Sequence, residues 1–363
     1  MVRSLYGKTR YLKWNNDVIG IVGPDDSVRF SQPSYNTTVR IYTKGKTEWL
    51  ADEFAAFLSE RIVSRDRRDI ERILFRCGLS EYDVMRIAAV TRGMHPKDMI
   101  WIADSESERY EEAMSGVFSS VFLKHADLAG GSVESPEGFN VKRYGVYQGR
   151  YGIYKNRISP LATDAESEVA VYLLALRMGV LCCPAYRVDA DTVFSEFLYD
   201  FSQEYIVHFR RLFDGPRSDN EYRNLIDIRP QYKNDIVRMI VLDFVTRQDD
   251  RHLSNIAIKV ARDGETFYPL FDNGRSLFYE DREDFVGKAV ADPALYATAF
   301  GPTGTYYDAM LEIAKDTDIA ALVNLGITQE EIRGILIKAG FERYRLDGAA
   351  TWIAKALSLA QSL

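Results

Sequence analysis

The sequence predicts an α+β chain: strands, one helix and a further strand come first, and a mainly helical half with a single inserted hairpin follows. Three observations predict it. Residues 139–148 and 150–155 read as two strands meeting at Gly149. Helical periodicity dominates beyond residue 200, notably from Asn234 to Val245 and again from Asp318 to Leu363. Within that helical half, residues 256–260 and 266–271 read as strands joined by a turn containing Asp263-Gly264, a strong hairpin signal.

In chain order, residues 1–50 predict short strands broken by turn signals such as Gly23-Pro24-Asp25-Asp26, and residues 48–115 predict mainly helix. The run Ser64-Arg65-Asp66-Arg67-Arg68-Asp69 reads as a solvated helix face. Residues 1–115 are expected to form an N-terminal α+β extension. Residues 116–200 are expected to form a small β-rich lobe. It holds a breaker-rich loop from Gly130-Gly131-Ser132 to Ser135-Pro136-Glu137-Gly138, the strand pair ending in Gly152-Ile153-Tyr154-Lys155, a helix, and the strand Thr192–Leu198. The helix opens at Thr163-Asp164-Ala165-Glu166, the pattern of a capping box, and carries apolar residues at Val169, Leu173 and Leu176. The box gives Glu166 a local task and leaves Glu168, one turn inside, unclaimed. Residues 201–363 are expected to form a helical lobe around the hairpin. The whole chain of 363 residues is long enough for two or three such units.

Composition narrows the function classes. Hydrophobic residues make up 46% and charged residues 27%, enough to bury a sizeable core and stay soluble. The net charge of -7 and the lack of a long Lys/Arg run argue against specific nucleic-acid binding through an extended basic face. No apolar stretch is long enough to span a membrane. The first residues lack the apolar run of a signal peptide, and Cys77, Cys182 and Cys183 give no paired framework. A reducing cytoplasm fits, and a secreted effector is the other location left open.

The chemistry concentrates in residues 249–274. Asp250 precedes Asn255 by five positions in Asp250-Arg251-His252-Leu253-Ser254-Asn255. That is the spacing between a catalytic base and a metal-binding Asn in phosphoryl transfer. Asn255 stands just before the first hairpin strand and Asp272 just after the second, so antiparallel pairing brings both to one end. A carboxylate base, an amide oxygen and a second carboxylate form the oxygen-rich set that suits Mg²⁺ on a triphosphate. Read singly, Asp250 and Asp272 are ordinary loop residues. The ordered coincidence of loop, strands, turn and Asp272-Asn273-Gly274 is what points to phosphoryl transfer.

Such transfer asks for position and positive charge: a strand lysine to reach the phosphates and a helix carboxylate to hold it. Lys155 and Glu168 have that order and context, with Lys142 as a second candidate cation. Gly130, Gly131 and Ser132 precede them where a phosphate-covering loop belongs. Their spacing is not G-x-G-x-x-G, and a plain surface loop is the other reading. Glu196 and Phe197 are placed by order to offer backbone hydrogen bonds to adenine. His252 reads as a hydrogen-bonded residue that orients the loop.

The catalytic loop, together with Leu270-Phe271-Asp272-Asn273-Gly274, resembles the HipA-like kinases of bacteria. Their superfamily includes the phosphoinositide kinases, whose catalytic loop also reads D-R-H-x-x-N. Lys155, the helix start Glu168-Val169-Ala170 and the strand from Phe194 to Phe197 occur in the family's order. Met99-Ile100-Trp101-Ile102 is similar to a tryptophan-containing segment before the core of some members. The resemblance covers roughly residues 95–280. It implies a bilobal protein-kinase-like fold with a small β-rich N-lobe and a largely helical C-lobe, and ATP and Mg²⁺ as cofactors. It also implies Ser/Thr phosphorylation of a protein substrate, often in a toxin–antitoxin or effector setting with an antitoxin or other regulatory partner. By position it implies Asp250 as the base, Asn255 and Asp272 as metal ligands, Lys155 as the nucleotide lysine and Glu168 as its partner. Ser132 or Ser135 would be a site of self-phosphorylation. Two further readings stay open: a small-molecule or phosphoinositide kinase, and a nucleotide-binding pseudokinase. The negative charge argues against a lipid surface, and the presence of Lys155, Asp250, Asn255 and Asp272 in one chain argues against a pseudokinase.

Overall fold

The computed structural model of the protein describes residues 7–31, 39, 42–63, 65, 70–95, 98–117, 132–134, 142–200, 204–212, 221–261, 264–297 and 304–363. They divide between two compact units. One draws on 1–153, 199–207 and 259–265, the other on 154–198, 208–258 and 266–363.

In the first unit, β1 (Arg10–Trp14), β2 (Asp17–Val22), β3 (Val28–Phe30), β4 (Glu48–Trp49) and β5 (Ile100–Ala103) form an antiparallel sheet ordered β4-β3-β2-β1-β5. Leu12 faces Ile102 across the β1–β5 pair. Helices α1 (Ala51–Ser59), α2 (Ile70–Arg76) and α3 (Val84–Thr91) follow the first four strands. Phe54 and Leu58 of α1 and Ile87 of α3 pack with Leu12, Val22 and Ile102 in one core. Met99, Trp101 and Tyr110, the last opening α4 (Tyr110–Val117), form a second cluster. The stretch expected to be mainly helical thus contains a strand at Ile100–Ala103. All four of its residues are buried, and an Ile-Trp-Ile run suits a strand covered on both faces. Beneath it the buried Arg61 guanidinium is paired with Asp98 at 2.6 Å through each terminal nitrogen. Burial alone would lift the Asp98 carboxyl, but Arg61 and Tyr42 overrule it and hold the value at about 2.

β6 (Ser132–Glu134) pairs antiparallel with β7 (Lys142–Tyr147), with Ser132 opposite Gly145. The expected phosphate-covering residues Gly130, Gly131 and Ser135 lie outside the described residues, as does the charged run at 64–69 apart from Arg65. Gln148 (φ 50°) and Gly149 (φ 79°) then take left-handed backbone together, as a two-residue type I′ hairpin requires. β8 (Arg150–Asn156) carries the chain into the second unit, where α5 (Asp164–Met178), β9 (Ala185–Arg187) and β10 (Thr192–Glu196) follow. The sheet order is β6-β7-β8-β10-β9.

β11 (Tyr205–His208), α6 (Phe209–Leu212), α7 (Glu221–Ile228) and a 3₁₀ turn at Pro230–Tyr232 lead to α8 (Lys233–Thr246). The hairpin is β12 (Ala257–Ala261) and β13 (Gly264–Phe267), and β11-β12-β13 make a small sheet. Asp263 of its turn lies outside the described residues. The second strand ends at Phe267, earlier than expected, because Leu270 leaves the ladder and bridges Cys182 instead. The remaining helices are α9 (Glu283–Ala289), α10 (Pro293–Tyr296), α11 (Tyr306–Ile313), α12 (Ile319–Leu322), α13 (Gln329–Ala339) and α14 (Arg343–Gln361). α8 is the axis of this unit. Its residues from Met239 to Thr246 are all buried, and it packs on α11 and α14. A helix apolar on every side belongs at the centre of a core. Small antiparallel sheets and a helical C-terminal half give the α+β class that the sequence predicts.

Candidate active site

Lys155, Glu168, Asp250, Asn255 and Asp272 gather within the second unit, from three stretches: the end of β8 with α5, the loop after α8, and the segment after β13; Ser132, on β6, belongs to the first unit. α8 ends in a Schellman closure. Arg247 adopts left-handed backbone (φ 48°), its N–H donates to the Phe244 carbonyl (3.2 Å), and the Gln248 N–H donates to the Asp243 carbonyl (2.9 Å). The chain turns off the helix and enters the loop Gln248–Asn255. There the Asn255 N–H donates to the His252 carbonyl (2.7 Å), and its side-chain Nδ2 donates to the Asp250 carbonyl (3.1 Å). The amide nitrogen is therefore engaged inside the loop, which leaves the amide oxygen as the end that suits a cation. His252 Nδ1 accepts the Ser254 N–H (3.2 Å), a loop-orienting contact. The Asp250 carboxylate is 37% exposed, with Arg275 Nη1 at 3.7 Å.

Lys155, near the end of β8, donates from Nζ to Glu168 Oε1 and to Asp272 Oδ1 (3.0 Å). Lys155 and Glu168 are buried. Burial pushes the ammonium down, but Asp272 and Glu168 outweigh it and the net displacement is upward, so the lysine stays charged. Asp272 is held in left-handed backbone (φ 58°), which Asp tolerates better than most residues and which is a form of strain common at functional sites. Two positions on, Gly274 lies so close to α5 that a Cβ would stand 3.3 Å from the Asp164 carbonyl and 3.5 Å from Glu168 Oε1. The glycine of Asp272-Asn273-Gly274 therefore permits the close approach that lets Lys155 reach both carboxylates.

Glu166 does not cap α5. The Thr163 side chain makes no capping bond; the Thr163 N–H donates to the Tyr279 carbonyl (2.8 Å) instead. The Glu166 carboxylate accepts from Arg157 Nη2 (2.6 Å) and pairs with Arg187 Nη1 (2.6 Å). Charge-assisted bonds from Arg157 and the positive charge of Arg187 hold the carboxylate more strongly than one backbone amide would. At the end of β10 the Glu196 N–H donates to the Pro184 carbonyl (2.8 Å), so that donor is spent within the protein. The Leu198 N–H donates to the Tyr268 hydroxyl (3.0 Å).

Four residues without an assigned role in the sequence reading complete the centre. Arg251 and Asp243 form a fully buried pair beneath the loop, and Gln248 and Asn273 are buried beside it. Asp243 did have a sequence signal. It interrupts the apolar run Met239-Ile240-Val241-Leu242-Asp243-Phe244-Val245, and a carboxylate placed in a core helix needs a partner. Cys182 and Cys183 are free, buried thiols; burial pushes both up, Cys183 to about 12, and Cys182 Sγ lies 3.3 Å from Asn273 Nδ2.

Among the described residues no group of three or more His, Cys, Asp or Glu could hold a metal by itself. Asn255 and Asp272 supply two hard oxygen donors. That set fits Mg²⁺ bound with phosphate oxygens and water, which needs only one or two protein carboxylates. No helix among the described residues is long and apolar enough to cross a membrane.

No protein-family model matches the chain, and no curated protein matches it. Solved structures do. HipA of Shewanella oneidensis MR-1, in a toxin–antitoxin complex with HipB and its operator DNA, aligns over 97% of this chain and 97% of its own, with a TM-score of 0.55 and 12% identity. The Helicobacter pylori proinflammatory kinase CtkA aligns over 62% of this chain and 89% of its own, with a TM-score of 0.45 and 15% identity. The likeness to HipA shows the bilobal kinase-like fold.

Proposed function

We propose that this chain is a HipA-like kinase that uses ATP with Mg²⁺ to phosphorylate a Ser or Thr hydroxyl of a protein. One observation carries the reading: Lys155 Nζ is seated on Glu168 and Asp272, and Asp272 is joined through Gln248 to the loop of Asp250 and Asn255. In this reading Lys155 binds the α- and β-phosphate oxygens and Glu168 keeps its side chain in place. Asn255 and Asp272 hold Mg²⁺, which when bound neutralises charge on the phosphates during transfer. Asp250, the more exposed carboxylate, orients the attacking hydroxyl and takes its proton. A bond forms from that oxygen to the γ-phosphorus as the bond to the β–γ bridging oxygen breaks. Gly130, Gly131 and Ser132 are the proposed phosphate cover, and Glu196 and Phe197 the proposed adenine edge.

HipA in the solved structure is assembled with HipB. A protein antitoxin is the regulatory partner proposed for this chain, and the cytoplasm its proposed location. The test is intact-mass and peptide mass spectrometry of the chain and of a bacterial lysate after incubation with Mg²⁺-ATP. The wild-type chain is expected to add phosphate to itself or to a lysate protein. Asp250→Ala is expected to lose transfer by about 10²-fold or more while Mg²⁺-ATP affinity stays within a few-fold. Asp272→Ala is expected to weaken Mg²⁺-ATP binding as well. Nucleotide binding without transfer by the wild type would make the chain a pseudokinase; neither binding nor transfer would end the reading.

A further inference from the structure

Beneath the loop lies a layer of side chains whose arrangement deepens the kinase reading and rests on it. Gln248 is 1% exposed. Its Oε1 accepts the backbone N–H of Asp250 (2.9 Å), and its Nε2 donates to the backbone carbonyl of Asp272 (3.3 Å). One side chain thus ties the main chain at the proposed base to the main chain at the proposed metal carboxylate. Arg251 makes a second tie. Its Nη1 donates to the carbonyls of Asn255 (3.1 Å) and Phe271 (3.0 Å), and its Nη2 to Asn273 Oδ1 (2.7 Å). Nε and Nη2 each donate to Asp243 of α8 (2.9 Å). The five N–H donors of the guanidinium are all used, with no water needed. Asp243 supplies the counter-charge that lets Arg251 remain ionised at full burial.

We infer that Gln248 and Arg251 are positioning residues, two rungs of a brace that fixes the Asp250–Asn255 loop against the Asp272 segment before nucleotide arrives. Phosphoryl transfer draws its rate from alignment, and a misplacement of about 1 Å can cost about 10²-fold. The three proposed reactive groups sit on segments that the brace joins, and neither rung reaches Lys155 or Glu168. The brace therefore governs metal engagement and transfer rather than the grip on the nucleotide.

Two substitutions separate its functions. Gln248→Met removes both bonds at similar length. Gln248→Glu keeps an acceptor for the Asp250 N–H but sets a carboxylate against the Asp272 carbonyl. Each is compared with wild type for melting temperature, for nucleotide affinity with and without Mg²⁺, and for turnover at saturating Mg²⁺-ATP. Metal-free nucleotide affinity is expected within about threefold of wild type. The gain in affinity brought by Mg²⁺, and the turnover, are each expected to fall about tenfold or more in both variants. Hydrogen exchange at the Asp250 amide is expected to quicken in Gln248→Met and to stay slow in Gln248→Glu. If Gln248 merely fills space, the melting temperature drops while the Mg²⁺ gain and the turnover stay at wild-type values; that result overturns the brace. Arg251→Lys keeps the charge and gives up the fork, and is expected to change in the same direction; if it does not fold, the Gln248 variants decide. A wild-type chain with no Mg²⁺-dependent nucleotide binding overturns the kinase reading itself. A wild type that transfers phosphate, with Gln248 variants that match it, overturns the brace alone.

Discussion

The Lys155 ammonium touches two carboxylates at once, and this makes its neighbours interdependent. Removing Glu168 leaves the lysine to lean on Asp272, and removing Lys155 leaves two carboxylates unneutralised. Lys155→Ala and Glu168→Ala are each expected to lose transfer, and the double variant to lose little more than either, because the pair acts as one unit. A double-mutant cycle of turnover checks this; strictly additive losses would separate the two residues. A second prediction concerns Asp164 at the start of α5. Burial lifts its carboxyl to about 6, although the Ile158 N–H, donating at 3.2 Å, opposes the shift. The native state therefore binds this proton more tightly than the unfolded chain does. The contribution of Asp164 is fully favourable below about pH 4, is lost as the pH rises through about 6, and is a penalty above that. Asp164→Asn keeps an acceptor for Ile158 and is expected to raise the melting temperature at neutral pH, with the gain shrinking to nothing near pH 4. Asp98 has the opposite sign. Its value of about 2 contributes stability at neutral pH that is lost on acidification. Melting curves of both proteins across that range provide the check.

Elements show why part of the site was legible and part was not. The loop Asp250–Asn255, the hairpin and Asp272 follow one another within a short stretch, so order and turn chemistry suffice to read them. α8 was legible from its apolar period. The task of Glu166 was not, because Arg187, one of the two guanidiniums that claim it, comes from β9, and a capping pattern cannot register a competitor that folding delivers. The same holds for Arg251, whose partners on α8 and beyond β13 have no fixed spacing from it. Gly274 was visible only as a turn letter; its purpose is the contact with α5. Gly274→Ala is expected to push the Asp272 segment away from Asp164 and Glu168 by a few tenths of an ångström. Mg²⁺-ATP turnover should fall by about tenfold, with about 1–3 kcal/mol lost in urea unfolding. Wild-type turnover in this variant would show that the close approach is incidental.

At the scale of the whole chain, length and composition predict a large core with room for more than one unit. What order along the chain could not reveal is that the first unit is not contiguous. It takes back residues 199–207 and 259–265 after the polypeptide has already left it. Tyr205 stands edge-on to Trp14 at 6.1 Å, and Lys259 pairs with Glu204 at 2.8 Å. Such pairings join partners far apart in sequence and leave no local trace. They also decide how the gene can be dissected. No single cut releases the unit that bears Asp250. A truncation beginning at residue 154 keeps Tyr205 in the β11-β12-β13 sheet but deletes Trp14, and the Tyr205 side chain, now 4% exposed, would face water. Such a fragment is expected to be insoluble or to bind no nucleotide, as sedimentation and a thermal-shift assay would report. Co-expression with residues 1–153 on a separate chain is expected to restore it. Complementation in trans is therefore the natural genetic test of this architecture, and deletion series from the N-terminus would misassign the loss of a scaffold to the loss of a catalytic group.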